Sequence, residues 1–289
     1  MATTKLAVKE LAGRMPEVDK PGTASKFTGP NPAEAEAIYK QILAGGADSV
    51  RELAELTRDP ADPEFQDYKA EYTLHGLVVY AGAPGRDKER RLTAEVLAAL
   101  LDNARISKAT RGLYIRELQW IGGPESVPAL GRQLADEELG PYAVAALVAI
   151  GPPALPALRQ GLTKTTGRNQ IAVIQALGRL GDPSAADDLK NLALGADDAA
   201  RPAALWALAN IGDRTAVDLL LQAADKAANL ERVQNTKACL LLAEKLASAN
   251  RPVEAKRIYE HLRKTRTDAK ERYAREAAEK ALAALNQML

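Results

Sequence analysis

The sequence predicts an all-α fold, a right-handed α-solenoid of about seven helix pairs closed by a terminal capping helix. Three observations carry this. Alanine-rich apolar segments close in Trp120-Ile121, Ala149-Ile150, Arg179-Leu180 and Asn210-Ile211, and glycines 123, 151, 181 and 212 follow them at intervals of 28, 30 and 31 residues. Each glycine leads into a second apolar segment with helical spacing: Val127, Leu130 and Leu134; Leu155, Leu158 and Leu162; Ala185, Leu189 and Leu192; Ala216, Leu219 and Ala223. The composition is 46% hydrophobic but only 4% aromatic, which suits closely stacked helices. At 289 residues the chain outgrows a single compact core, and a stack of modules accommodates that length.

The elements follow in order. Residues 1–30 hold a possible short helix around Lys5 to Arg14 and then a polar, Pro- and Gly-broken stretch, and are expected to be a flexible N-terminal tail. Residues 31–232 form the repeat array, starting at Asn31-Pro32-Ala33-Glu34 with a cap, a first-position proline and a capping-box glutamate. Gly45-Gly46 ends that helix near Leu43, and Asp48 is expected to cap the next, with Val50, Leu53 and Leu56 as its stripe. A second pair spans about Phe65 to Leu101, and its long connection, Ala83 to Lys88, is expected to protrude as a surface insertion. In the regular repeats Asp182 and Asp213 stand directly after their glycines, where a carboxylate caps the second helix. Residues 233–289 form a C-terminal hairpin bending at Asn250-Arg251-Pro252, then a last helix with Tyr273, Ala277, Ala281 and Leu285 on one side and charges elsewhere. A polar-backed helix is what the end of an open array needs.

Ala200-Arg201-Pro202-Ala203-Ala204-Leu205-Trp206-Ala207-Leu208-Ala209-Asn210-Ile211-Gly212-Asp213 resembles the repeat of bacterial HEAT proteins of the short type named after phycobilin lyases, and Ile174 to Pro183 resembles its neighbour. The resemblance covers about residues 107 to 227, and residues 233–289 resemble a tetratricopeptide-type hairpin. Gln170 stands where the pattern has arginine, and Gly140 departs too, so an arginine ladder would be interrupted. The resemblance implies the fold, while the activities of the family are diverse. Some members attach or remove bilins together with a second subunit, which makes a tetrapyrrole lyase-like enzyme or enzyme subunit the alternative function.

Residue chemistry argues against most enzyme classes. The only histidines, His75 and His261, lie in distant repeats, and Cys239 is the sole cysteine, so no closed zinc site can be assembled. Cys239 lies in an apolar run, as a buried structural thiol does, with no histidine in its repeat to activate it. Asp187-Asp188 and Asp197-Asp198 lack the spaced oxygen ligands of a calcium loop. No Gly-x-Ser-x-Gly elbow or lysine-bearing phosphate loop is present, and Trp120 and Trp206, at different offsets from their glycines, are assigned to packing. No catalytic residue, metal or cofactor is therefore assigned.

Thirty-nine lysines and arginines balance thirty-eight acids, so no global field recruits polyanions and a nucleic-acid-binding HEAT protein is the more remote alternative. The local excess at residues 251–280, ten cations to six acids, is interleaved as paired helix charges are. No stretch is apolar enough for a membrane span, and charges at Lys5, Lys9, Glu10 and Arg14 break any leader core, which favours the cytoplasm unless a leader preceded Met1. One column remains. Arg132-Gln133, Arg159-Gln160, Lys190-Asn191 and Gln222 repeat a basic residue and an amide on successive second helices, the helices that line the concave side of such arrays. Arginines and amides hydrogen-bond carboxylates and extended backbone, so the expected function is a non-enzymatic interaction scaffold whose groove receives another protein or an extended peptide rather than a small molecule.

Overall fold

The computed structural model describes residues 7–15, 32–57, 69–195 and 199–288. Among them are sixteen α-helices, five short 3-10 turns and no strand. The helices are α1 (Val8–Gly13), α2 (Pro32–Ala44), α3 (Gly46–Glu55), α4 (Lys69–Ala81), α5 (Asp87–Leu100), α6 (Lys108–Ile121), α7 (Val127–Gln133) and α8 (Gly140–Ile150). They continue with α9 (Leu155–Lys164), α10 (Gly167–Leu180), α11 (Ala186–Leu194), α12 (Ala200–Ile211), α13 (Val217–Lys226), α14 (Asn229–Ser248), α15 (Pro252–Thr265) and α16 (Arg272–Met288). From α2 onward this is seven successive pairs and a last helix. The chain divides into two compact units, Met1–Ala154 and Leu155–Leu289.

In the first unit α2 to α5 each pack on the next helix and the next but one, as α4 does on α5 and α6, and α6 packs on α8. This nearest-neighbour pattern is the one a stacked array requires. Leu74, Leu77, Leu97, Ile115 and Leu118 are fully buried between the layers. Tyr114 of α6 is buried too, and its hydroxyl donates to the Ala54 carbonyl of α3 at 2.7 Å. That bond joins those the same carbonyl, at the C-terminal end of α3, accepts from the Thr57 amide and hydroxyl.

Two expectations for this unit are corrected. Asp48 does not cap α3, because the chain already turns at Gly46 with φ of +71°; Asp48 instead lies in the first turn, 3.0 Å from Arg51. The 83–88 insertion lies at the surface, with Pro84, Gly85, Asp87 and Lys88 exposed, and Arg86 ties it to α4 by donating to the Tyr80 carbonyl at 2.8 Å with its guanidinium over the Tyr80 ring. Part of the expected tail is packed, since Val8, Leu11, Ala12 and Met15 are buried. The Asn31 cap, Phe65 and Pro21 to Pro30 lie outside the described residues.

In the second unit α10 packs on α12 and α12 on α14, while α11 and α13 pack on the first helices that follow them. The repeated turn explains the glycines. Gly151, Gly181 and Gly212 have φ of +81°, +69° and +79°, where a side chain would clash with its own backbone. Gly123 is the exception at φ −140°. A Cβ there would sit 2.7 Å from the Glu125 carboxylate and 3.0 Å from Arg90, so close approach takes the place of a left-handed turn.

Asp182 and Asp213 cap as expected, accepting from the Ser184 and Thr215 amides at 3.1 and 2.9 Å. The last helix turns by one residue from its expected register: Ala274, Ala278, Leu282 and Leu285 are buried, and Tyr273 is exposed. Small Ala274 and Ala278 let α16 approach α15 closely, which a tyrosine on that face would prevent. A similar shift occurs on α13, where Leu220, Leu221 and Ala224 face inward.

Candidate interaction surfaces

The second helices of the Leu155–Leu289 unit carry the repeated cation and amide, and their fates diverge. Arg159 on α9 places Nη1 2.7 Å from Asp182 Oδ2, and Lys190 on α11 places Nζ 2.9 Å from Asp213 Oδ2 and 3.2 Å from Asp187. Each aspartate is thus both a cap in its own repeat and the anion for the preceding second helix. Burial works against ionisation of Asp213, but hydrogen bonds from Lys190 and Thr215 override it and hold the carboxyl below its ordinary value. The Lys190 ammonium is correspondingly held above its ordinary range by its hydrogen bond to Asp213. At the third equivalent place stands Leu221, which is buried. Gln160, Asn191 and Gln222 are exposed.

In the first unit Arg132 donates through Nε to Asp102 at 3.0 Å, and Gln133 is buried rather than outward-facing. The cations of the column are therefore engaged at repeat joints, and the amides at 160, 191 and 222 are its exposed members.

A second repeated device runs beside this one. Gln170 donates to the Leu162 carbonyl at 2.9 Å, Arg201 to the Gly195 carbonyl at 3.1 Å and Arg232 to the Ala224 carbonyl at 3.3 Å. These positions recur every 31 residues and cap the carbonyl end of the preceding second helix. Gln170 thus performs the hydrogen bonding of the missing arginine without its charge.

Gln222 also lines a cleft of about 390 Å³ between α13 and α15. Two bridges cross it: Arg257 to Asp218, and His261 Nε2 to Asp225 Oδ2 at 2.8 Å. Asp225 is further held by the fully buried Arg266 at 2.8 Å, so burial is overridden and its carboxyl lies below the ordinary value. With its charges paired across the walls, the cleft offers hydrogen bonds more than net charge.

The first unit exposes a different chemistry on α4 and α6. Trp120 is 71% exposed, with its ring edge-on to His75 at 6.3 Å between centroids. His75 Nδ1 lies 3.0 and 3.1 Å from the two oxygens of Glu117, a buried carboxyl whose pKa is raised because burial outweighs the help of His75. Val79, one turn along α4 from His75, and Tyr142, beneath the Arg116 guanidinium at 6.0 Å, are also exposed. The packing assignment of Trp120 is thereby overturned. Like Ala149 and Arg179 it directly precedes the closing apolar residue of its helix, and those two are exposed as well. Trp206 packs on one side only: a Cβ at Gly178 would lie 2.9 Å from its ring, and the residue is 37% exposed.

Among the described residues no three His, Cys, Asp or Glu side chains gather as a metal site, and no helix is long and apolar enough to cross a membrane. Cys239 is fully buried, and burial pushes its thiol up to about 12. Asp197 and Asp198 lie outside the described residues.

Comparison with protein families matches residues 155–240 to HEAT repeats. No curated protein matches the chain. Among solved structures, a chain from the complex of CpcE and CpcF of phycocyanin lyase from Nostoc sp. PCC7120 is 20% identical, with 85% of this chain and 98% of that chain covered, at a TM-score of 0.35. That is a partial likeness. The match places HEAT repeats at residues 155–240, within a succession of helix pairs that contains no strand among the described residues.

Proposed function

We propose that this chain is a non-enzymatic interaction protein that binds another polypeptide, with the α4 and α6 surface around Trp120 as the primary contact. The observation that carries the reading is the 71% exposure of Trp120, flanked by Arg116, His75 and Val79, in a chain with only two tryptophans. Tryptophan, tyrosine and arginine dominate the energetics of protein interfaces, and an indole left in water gains most from being covered. The exposed amides Gln160, Asn191 and Gln222 form the finer part of the proposal, a set of hydrogen-bonding places for an extended peptide. Paired surface charges such as Arg257 with Asp218 and Arg272 with Glu276 argue against a polyanion ligand.

Affinity capture from the native source identifies the partner, and titration of that partner against Trp120→Ala tests the surface. The expected loss is at least about tenfold in affinity, since truncating a central aromatic costs on the order of 2 kcal/mol, with the melting temperature little changed. Equal affinity of variant and parent would remove the surface from the interface.

A second reading, a tetrapyrrole lyase-like subunit, is favoured by the same observation. A flat exposed indole with Arg116 one turn away is the stacking face and basic anchor an anionic chromophore needs. A shift in bilin absorbance on mixing, lost in Trp120→Ala, would support it. An unchanged spectrum rejects it and leaves the protein partner.

A further inference from the structure

Among the exposed residues of α4, α6 and α8, Arg116 is the only side chain with a permanent charge; Lys69, Glu71, Lys108, Arg111 and Glu117 on the same helices are partly or fully covered. The remaining exposed positions hold an amide, a histidine and apolar or aromatic groups, with Val79 on α4, Trp120 on α6 and Tyr142 on α8 the largest. In a chain that is 27% charged, three successive first helices without an exposed acid depart from an ordinary solvated face. Depletion of charge around aromatic rings and an arginine is the composition of an interface core.

The face also carries both halves of one interaction. Arg116 forms no salt bridge among the described residues, and its guanidinium lies 6.0 Å from the Tyr142 ring centre, at the limit of cation–π attraction. Trp120, on the same helix, offers an uncovered indole face, the strongest aromatic acceptor for such a cation. The two stand four residues, about 6 Å, apart along α6. A two-fold axis at the level of Leu118 therefore sets each against its counterpart in an antiparallel α6, because in such an interface residue i meets j and j meets i.

We propose that this face pairs with the same face of a second copy of the chain, the two α6 helices meeting antiparallel with each Arg116 over the other copy's Trp120. The proposal rests on the protein-binding reading of the Trp120 surface and names its partner. With no exposed acid beside it, Arg116 finds its complement on a symmetric mate, and a formal net charge of +1 leaves little repulsion between copies. Trp120 keeps ~180 Å² in water, 71% of the ~250 Å² of a large aromatic side chain. Specific interfaces cover ~800 Å² per partner, so this face with its neighbours makes a small one, and association in the micromolar range is expected.

Sedimentation equilibrium of the full chain from about 1 to 200 μM tests this. The parent should pass from one chain mass toward two. Trp120→Ala and Arg116→Ala each remove both symmetry-related pairs, and each should weaken association at least about tenfold with the melting temperature unchanged. Mixing the two variants distinguishes crossed pairing from any other use of the face. A mixed dimer keeps one complete pair, Arg116 of one chain on Trp120 of the other, whereas neither variant's own dimer keeps any. The mixture should therefore associate more tightly than either variant alone.

A parent that stays monomeric throughout the range overturns the second copy as partner, and leaves the protein-binding reading to titration of a captured partner. A dimer indifferent to both substitutions overturns the face. Variants that weaken association but gain nothing on mixing overturn the crossed pairing.

Discussion

In the Leu155–Leu289 unit the polar joints recur at a fixed spacing, whereas in Met1–Ala154 they are irregular; both units expose large apolar side chains, Val79, Trp120 and Tyr142 in the first and Leu194, Trp206, Leu230, Val253 and Tyr273 in the second. Arg159, Lys190, Gln170, Arg201 and Arg232 each bridge to a neighbouring repeat, at positions 31 residues apart. The first unit has fewer regular joints: Arg132 pairs with Asp102 where both are about half exposed, and Trp120, Val79 and Tyr142 stand out on first helices. The difference teaches what regular repetition does. Equivalent positions in identical repeats meet identical neighbours, so regularity favours internal ladders.

The largest expected effect tests whether the regular unit is built as described. Leu177 on α10 is fully buried and Gln175 is exposed. Leu177→Asp should cost at least about 4 kcal/mol and abolish a cooperative melt, because it loses the burial of a leucine and places an unpaired charge in the core. Gln175→Asp should stay within about 0.5 kcal/mol. Equal melting temperatures would break the register on which the comparison stands.

Next come the joints. Asp182 is 2% exposed and serves both as cap and as partner of Arg159, so Asp182→Ala should cost about 2–4 kcal/mol. Asp102→Ala removes a half-exposed pair and should cost less than about 1 kcal/mol. Thermal melts of the two variants check the contrast. Similar losses would mean that the joints of the two units are equivalent.

Particular carboxyls of the two units should also respond to pH with opposite sign. Asp213 and Asp225 are held below their ordinary value of 3.8, so the stability they contribute is fully present above that pH and is lost as pH falls through their lowered values. Glu117 of the first unit is raised above 4.5, so its burial has no effect on stability well below that pH and becomes unfavourable as pH rises toward its raised value. Asp213→Asn should flatten the acid limb of a stability profile. Glu117→Gln should flatten the decline just above pH 4.5. A profile unchanged by both substitutions would remove the contrast. The smallest effect is expected for Gln170→Arg, within about 0.5 kcal/mol by thermal melt, since the glutamine already makes the hydrogen bond to Leu162.

Much of the fold was legible before any coordinates. Helix pairs, glycine turns and the Asp182 and Asp213 caps depend on residues within a few positions of one another, and such local chemistry is written along the chain. Features that depend on close approach between helices were read less well. The register of α16 was off by one because alanine is acceptable on either face of a helix, and only the approach to α15 selects Ala274 and Ala278. Gly123 resembles its three relatives in sequence, yet its backbone is extended, and it is Glu125 and Arg90 that leave no room for a Cβ there.

The candidate surfaces show the same divide. The column at Arg159, Lys190 and Gln222 was visible as a repetition, but whether a cation faces water or an aspartate 23 residues away is a property of packed neighbours. Trp120 was assigned to packing, and neither its exposure nor the Glu117 to His75 pair beside it, which joins two helices 42 residues apart, follows from local sequence.

The sequence by itself determined the helical class, the repeat length and the capping chemistry, because periodicity, propensity and turn stereochemistry act over a few residues. Only the tertiary structure decided which charges are engaged at joints, which aromatic ring stays in water and that α1 packs on α2, α3 and α4. Those outcomes depend on which distant helices become neighbours, and side-chain burial and pairing are settled by that contact.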